Sequence, residues 1–546
     1  MRVAMVFCAC VSVVAASSLS AEPVFTPVIF SGSAAPGISG RTVKWLGAPG
    51  ISSDGTKVIL SGQLNTPFYD PGGVSVPTNE LTFWYGPLGA LSLVADSNTI
   101  ATDGSRYGDL DARQYVADSD GHVAFVPSSL QTNTSKLWGG TPGAIVKVAG
   151  PGEAAAGIPG KTYGGYFRGL SVNGTGQLAF QCFSFSGTGS TLGSGIWMGP
   201  VANIKPVAYA GMTAPGTGAP FFGVGMPTLS NAGVIFAASL GAPAPAATSD
   251  AVWVGTPDVL SMVARRGFQA AGMPAGVNYD SFHQQPAIND AGQVAFGAGL
   301  AGAGVSTTNN HAIWQGLPAT IHSVARTGDA APGTSPGVIL SALSHPLMSA
   351  NGATAFRANL SGPGVVPGQN EQALFCYDQG QTRLIARRGD VAPGTSATFD
   401  TIGDPMLNAS GEMAFYANLV GDAPSLSGSN DGIWFADTQG ELSLVVRAGQ
   451  TVDLGGGDLR TISGLNFASN GFSAALPVRA LSDNDTIAFG ASFTDGPDAI
   501  LLVSVPEPTG LLACIAFSPI LLRRKRIRKW DMVQRRRHAD KANIEV

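Results

Sequence analysis

The chain has 546 residues, of which 73 are Gly and 36 Pro, while 44% are hydrophobic and only 12% charged. That apolar content excludes wholesale disorder, and the abundance of Gly and Pro argues against a helix-rich enzyme and for short strands joined by tight turns. The formal net charge of −5 is unevenly spread: from Arg523 onward there are ten Lys/Arg and three Asp/Glu, which leaves residues 22–508 at −13. So acidic a body repels a polyanion and argues against nucleic acid as a partner.

Met1-Arg2 is followed by an apolar run from Val3 to Ala16 and by small residues up to Ala21. A charged start, an apolar core too short to span a bilayer and a small-residue cleavage region predict a secretory signal peptide over residues 1–21, removed by signal peptidase. Cys8 and Cys10 stand too early in that core to serve as a lipid-attachment site.

Residues 22–504 read as one unit written eight times. Its first marker is clearest in Asn173–Phe180, Asn289–Phe296, Ser349–Phe356 and Asn408–Phe415, with weaker copies ending at Ile59, Phe125, Phe236 and Phe489. The spacing averages about 60 residues, in the range of repeat architectures. A second marker follows each copy: Trp84, Trp138, Trp197, Trp253, Trp314, Phe375, Trp434 and Leu501. A third, of the form Val-Ala-Arg-x-Gly-Asp-x-Ala-Pro-Gly, is clearest at Val324–Gly333 and Ile385–Gly394. The first marker opens on Asn, Asp or Ser, whose side chain accepts a hydrogen bond from the backbone two residues on, and carries a Gly suited to positive φ before the chain enters a strand. Gln293–Leu300, Ala312–Gln315, His322–Arg326 and Gly337–Ser341 then read as four short strands. Four strands in about 60 residues, without helical periodicity, predict an all-β repeat protein, a closed β-propeller of eight blades, ahead of a β-solenoid or tandem sandwiches. Each Trp is expected to pack between blades.

Val505-Pro506-Glu507-Pro508 comes next, then an apolar stretch from Gly510 to Leu522, the basic cluster Arg523, Arg524, Lys525 and Arg526, and a basic tail over 530–546. A residue before Pro is driven toward extended backbone, so the motif is expected to be an exposed link leading into a single apolar helix. The arrangement over 505–529 resembles the PEP-CTERM sorting signals of Gram-negative bacteria. That resemblance implies export, transient insertion of Gly510–Leu522 in the inner membrane with the basic cluster on the cytoplasmic side, and processing by an exosortase. The repeat wording over Phe25–Leu502 resembles bacterial surface proteins with tandem NxxGxxAF repeats, which implies secretion and surface anchoring and brings no catalytic residues.

Chemistry is sparse. The histidines 122, 283, 311, 322, 345 and 538 fit no H-E-x-x-H spacing, and G-x-S-x-G is absent. No cofactor or metal is expected: Gly297–Gly302 matches G-x-G-x-x-G without a following helix to hold a pyrophosphate, and the Asp118–Gly121 and Asp483–Asp485 fragments lack the later acidic ligand of a calcium loop. One constellation stands out. Arg265, Arg326, Arg387 and Arg447 recur at the same position of successive units, with Asp329 and Asp390 three residues beyond two of them. They form either local strand-end pairs or an arc of guanidinium groups able to grip an acidic polysaccharide. The expected function is a cell-surface or extracellular-matrix protein with a structural, adhesive or polysaccharide-binding role, the alternative being an extracellular hydrolase or lyase. Two further expectations follow. Val28–Gly37 matches the third marker, which the last unit lacks, so the N-terminal strand should complete the last blade beside Ala499–Val503. Cys182 and Cys376, three blades apart on a ring, should be free and buried.

Overall fold

Blade 5, residues 277–326, shows how this sequence makes a sheet. Asn289 opens its turn with Oδ1 accepting the Gln293 N–H at 2.9 Å, and Gly292 takes φ +74°, where a side chain is strained. The chain then enters Val294–Gly302, which pairs with the inner strand, split into Val277–Phe282 and Ala287–Ile288, and with His311–Gly316; His322–Arg326 is the outer strand. All pairings are antiparallel. Phe296 of the first marker lies directly opposite Trp314 of the second, and the two rings stack at 5.7 Å. Tyr279 from the inner strand meets Trp314 edge-on at 5.0 Å.

The third marker is tied to the second. A buried indole N–H needs an acceptor, and Trp314 Nε1 donates to Ala271 O at 2.9 Å, in the segment that crosses from blade 4 to blade 5. Trp84 to Pro36 O, Trp197 to Ala156 O and Trp434 to Pro393 O repeat the bond at 2.9, 2.9 and 3.1 Å. The connecting phrase is thus fastened to the flank of the blade it leads into.

The computed structural model describes residues 23–505 apart from 66–80, 98, 106, 108, 129–135, 188, 283–284, 422–429 and 469–478. The signal peptide, Pro506, Glu507, Pro508, the apolar segment 510–522, Arg523, Arg524, Lys525, Arg526 and the tail lie outside the described residues. Within them eight antiparallel sheets follow one another, and no helix is long and apolar enough to cross a membrane. The sheets form a ring. Eight hydrophobic clusters each draw on two neighbouring sheets, and the last joins Ala488, Ile500 and Leu502 of blade 8 to Val43, Leu60 and Trp84 of blade 1. From blade 2 to blade 7 the first strands of successive blades touch each other, and that of blade 1 touches Thr486–Phe493 of blade 8, so the first strands surround the axis. The ring closes as the sequence predicts: Val24–Phe30 pairs antiparallel with Ala499–Ser504, with Val24 opposite Ser504 and Phe30 opposite Ala499. The fold is an eight-bladed β-propeller.

Three details differ from the sequence reading. In blade 1 the partner of Trp84 is Leu60, not Ile59, because that turn carries one more residue. Most blades show five strand segments rather than four, because a break splits the inner strand, and the strand read as Gln293–Leu300 runs on to Gly302. The fourth stretch of each sequence unit belongs to the next blade, so every unit straddles two sheets; the chain therefore begins with an outer strand. Cys182 and Cys376 are free and buried as expected.

Candidate functional site

An antiparallel blade has two ends, and the two faces of this ring differ. One face gathers the first-marker turns close to the axis. There Asn173 Nδ2 donates to Ser230 O at 3.1 Å, Asn289 Nδ2 to Ala350 O at 3.1 Å, Asn408 Nδ2 to Asp485 Oδ1 at 2.8 Å and Asn484 Nδ2 to Asp54 O at 3.2 Å. Each bond joins a turn to that of a neighbouring blade. Asp118 holds its own turn, its Oδ1 accepting the Asp120 and His122 N–H groups at 2.9 Å each. The polar side chains of this turn face are occupied in holding the ring together.

The opposite face carries the long loops and the connections between blades, and the sequence-predicted arginines stand at its rim. Arg265, Arg326, Arg387 and Arg447 all end outer strands. Three donate Nε–H to a carbonyl of the loop between the second and third strands of their own blade: Arg265 to Thr248 O at 3.0 Å, Arg326 to Asn309 O at 2.8 Å and Arg387 to Asn370 O at 2.9 Å. Arg265 also lies over the exposed Phe268 ring at 5.3 Å, and both line a groove of about 310 Å³ between blades 4 and 5. Burial pushes the Asp329 and Asp390 carboxyls up, against the pull of Arg326 and Arg387. Sequence reasoning missed the adjacent residues. Arg388 spans Glu371 at 3.2 Å and Asp400 at 2.8 Å, and Arg266 spans Asp250 at 3.5 Å and Asp280 at 3.2 Å, so each guanidinium joins its own blade to the next. The doublets Arg265-Arg266 and Arg387-Arg388 were the available signal.

The inner strands place a second set of groups around the axis. In six blades the strand bulges after a buried apolar residue, between Val43 and Trp45, Phe221 and Gly223, Tyr279 and Ser281, Leu340 and Ala342, Phe399 and Thr401, and Ile462 and Gly464. A bulged residue leaves the ladder and its side chain is re-aimed. Those residues are Lys44, Phe222, Asp280, Ser341, Asp400 and Ser463. Deeper, where the inner strand breaks at a proline, blades 6 and 7 hold titratable groups. Arg357 pairs with Asp404 at 2.6 Å and donates to Ile402 O at 3.2 Å, binding blade 6 to blade 7. Burial lowers the pKa of His345; nearby Asp404 opposes the shift and Arg357 adds to it. His345 and Asp404 both precede prolines, a recurring dipeptide that the sequence displays without revealing that it faces the axis.

The model of a family of unknown function, DUF7453, matches residues 25–365 and again 337–512. No curated protein resembles the chain in sequence. Among solved structures it is similar to the β-propeller domain of the Trilobed protease from Pyrococcus furiosus, with 10% identity, 74% of this chain and 98% of that chain covered, and a TM-score of 0.38. The Dos1 propeller gives 9% identity, 88% and 95% coverage and a TM-score of 0.38. The GH74 xyloglucanase from Xanthomonas campestris gives 10%, 87% and 66%, and 0.34. The chain spans about half the length of the Pyrococcus horikoshii acylaminoacyl peptidase, at 52%.

Proposed function

The chain belongs to that family of unknown function along its whole propeller, and from this premise we propose that it is an exported protein, sorted by an exosortase to the cell surface or the extracellular matrix, whose long-loop face binds polysaccharide. The supporting observation is the position of the chain ends. Val24 lies opposite Ser504, and the Val505 N–H bonds Asp485 O at 3.0 Å beside a first-marker turn. Both ends therefore leave from the turn face, and an anchor attached there directs the long loops outward. On that outward face Arg265, Arg326, Arg387 and Arg447 form a local arc of fixed positive charge on an otherwise acidic body, suited to short-range bidentate contact with the carboxylates of an acidic polysaccharide. Mass spectrometry of the protein recovered from cells tests the sorting: a mature chain from Glu22 to about Pro508 is expected, and an intact Val546 overturns it. A glycan array tests the ligand; acidic chains should bind, and binding that survives Arg-to-Ala changes removes the arc.

The axial cluster favours a second reading, an extracellular hydrolase or lyase acting on polysaccharide. A half-buried His345 with a lowered pKa beside Asp404 and Arg357 is fit to accept a proton from a bound sugar. Under that reading the protein shortens a polyuronate in a viscosity assay and His345→Ala abolishes the effect; an inert wild-type protein sinks it.

A further inference from the structure

The eight blades agree where they pack and disagree at one place. The residue just before each bulge is apolar and buried in all six blades: Val43, Phe221, Tyr279, Leu340, Phe399 and Ile462. The next residue is a lysine, a phenylalanine, two aspartates and two serines. An inner strand meets solvent only in the axial channel or at its mouth, so a repeat that varies at its bulge varies around one opening. Exposed aromatic residues stand on the inner strands of blades 1, 3 and 4. Phe222 is 71% exposed, Trp45 42% and Tyr166 40%, and Tyr166 is directly opposite Phe183, itself 52% exposed on the second strand of blade 3. The core has no use for these rings: in the same blades Trp84, Trp197 and Trp253 are wholly buried. Blades 5 to 7 present Asp280, Ser341 and Asp400 at the equivalent bulges instead. Asp280 and Asp400 are 47% and 42% exposed and each is held by an arginine, so this sector offers fixed hydrogen-bond acceptors with much of their charge compensated.

We infer that the channel mouth on the long-loop face is a sugar-ring subsite, in which Trp45, Tyr166, Phe183 and Phe222 stack against pyranose faces while Asp280 and Asp400 accept hydrogen bonds from ring hydroxyls. It rests on the polysaccharide reading and deepens it, placing ring recognition at the mouth and carboxylate recognition at the arginine rim. Flat apolar faces bordered by fixed acceptors match a pyranose, which has a C–H face and a hydroxyl edge. They match neither a polyanion alone nor a purely apolar partner.

With Trp530 of the tail replaced by Phe in every protein tested, Trp45 supplies its own reporter, because Trp84, Trp138, Trp197, Trp253, Trp314 and Trp434 are fully buried. The full-length chain is titrated with cellohexaose and mannohexaose as neutral probes and a hexagalacturonate as the acidic probe, following acrylamide quenching of tryptophan emission and calorimetric affinity. A bound hexamer should protect the quenchable emission, and that protection should vanish in Trp45→Phe while binding persists. Phe222→Ala, at a position too exposed to carry the fold, should weaken binding about tenfold, and Arg326→Ala should leave a neutral hexamer unaffected. Binding without protection, undiminished in Phe222→Ala, overturns the subsite and leaves the polysaccharide reading standing. Failure of all three probes to bind overturns both.

Discussion

Asn289 serves two turns at once, its Oδ1 accepting the Gln293 N–H while its Nδ2 reaches Ala350 O of blade 6. Asn289→Ala removes both bonds and leaves the part-buried Gln293 N–H without its acceptor, so we expect a loss of about 1–3 kcal/mol, read as a lowered midpoint in urea unfolding. Blade 8 shows what the Asn is paired with elsewhere. Its turn has Asp485 at φ +59° where other blades have Gly, and the carboxylate accepts the Asn408 Nδ2 bond that Gly has no atom to receive. The local half of such a turn is legible in sequence, since Asn or Asp followed by Gly names its own geometry. The half that reaches the next blade is not, because it joins residues 57 to 77 positions apart. Cysteine chemistry belongs to this scale too. Burial pushes the Cys182 thiol up to about 11 and the Cys376 thiol, with help from Asp378, to about 12. Neither Cys182 nor Cys376 should react with a disulfide reagent at pH 8 while the ring is folded, and both should titrate once it is unfolded.

At the scale of the strand, the three sequence markers turn out to be one contact. The first-marker Phe stacks on the second-marker Trp across the ladder, and in four blades that Trp donates to the third marker. Trp314→Ala should therefore cost about 3–5 kcal/mol, measured by denaturant unfolding, with Trp314→Phe recovering much of the loss; blade 6 already manages with Phe375 against Phe356. Strand existence, the recurring Phe and Trp positions and the closing strand were all legible because they follow alternating apolar residues and tight turns. The slip from Ile59 to Leu60 came from a turn one residue longer, which shifts register without altering composition. The inner-strand bulges were invisible, since Lys44, Asp280 and Ser341 look like ordinary exposed strand residues until the ladder skips them. So the arginine rim could be found from repetition alone, and the channel mouth, which departs from repetition, could not.

For the whole ring, pH acts through two half-buried imidazoles. Burial lowers the pKa of His311 and His345, with Asp404 opposing and Arg357 reinforcing the shift at His345. The unfolded chain takes up protons near 6.5 while the folded ring resists, so stability is full above that value and is lost as pH falls through the lowered folded values. The melting temperature should drop between pH 7.5 and 5, and less steeply in His345→Gln. Asp329 and Asp390 have raised values and act in the opposite sense within the carboxylate range, where they favour the folded state only at lower pH. The closing strand has a mechanical consequence as well. Ala499–Ser504, the last strand before the C-terminal link, is not an edge: Thr486–Phe493 pairs along one side and Val24–Phe30 along the other. A pull on Val505 directed along that strand loads two ladders in shear, where many hydrogen bonds must fail together, whereas a terminal edge strand peels one bond at a time. A load applied at Val505 is thus shared by both ladders and does not peel the ring open from a free edge.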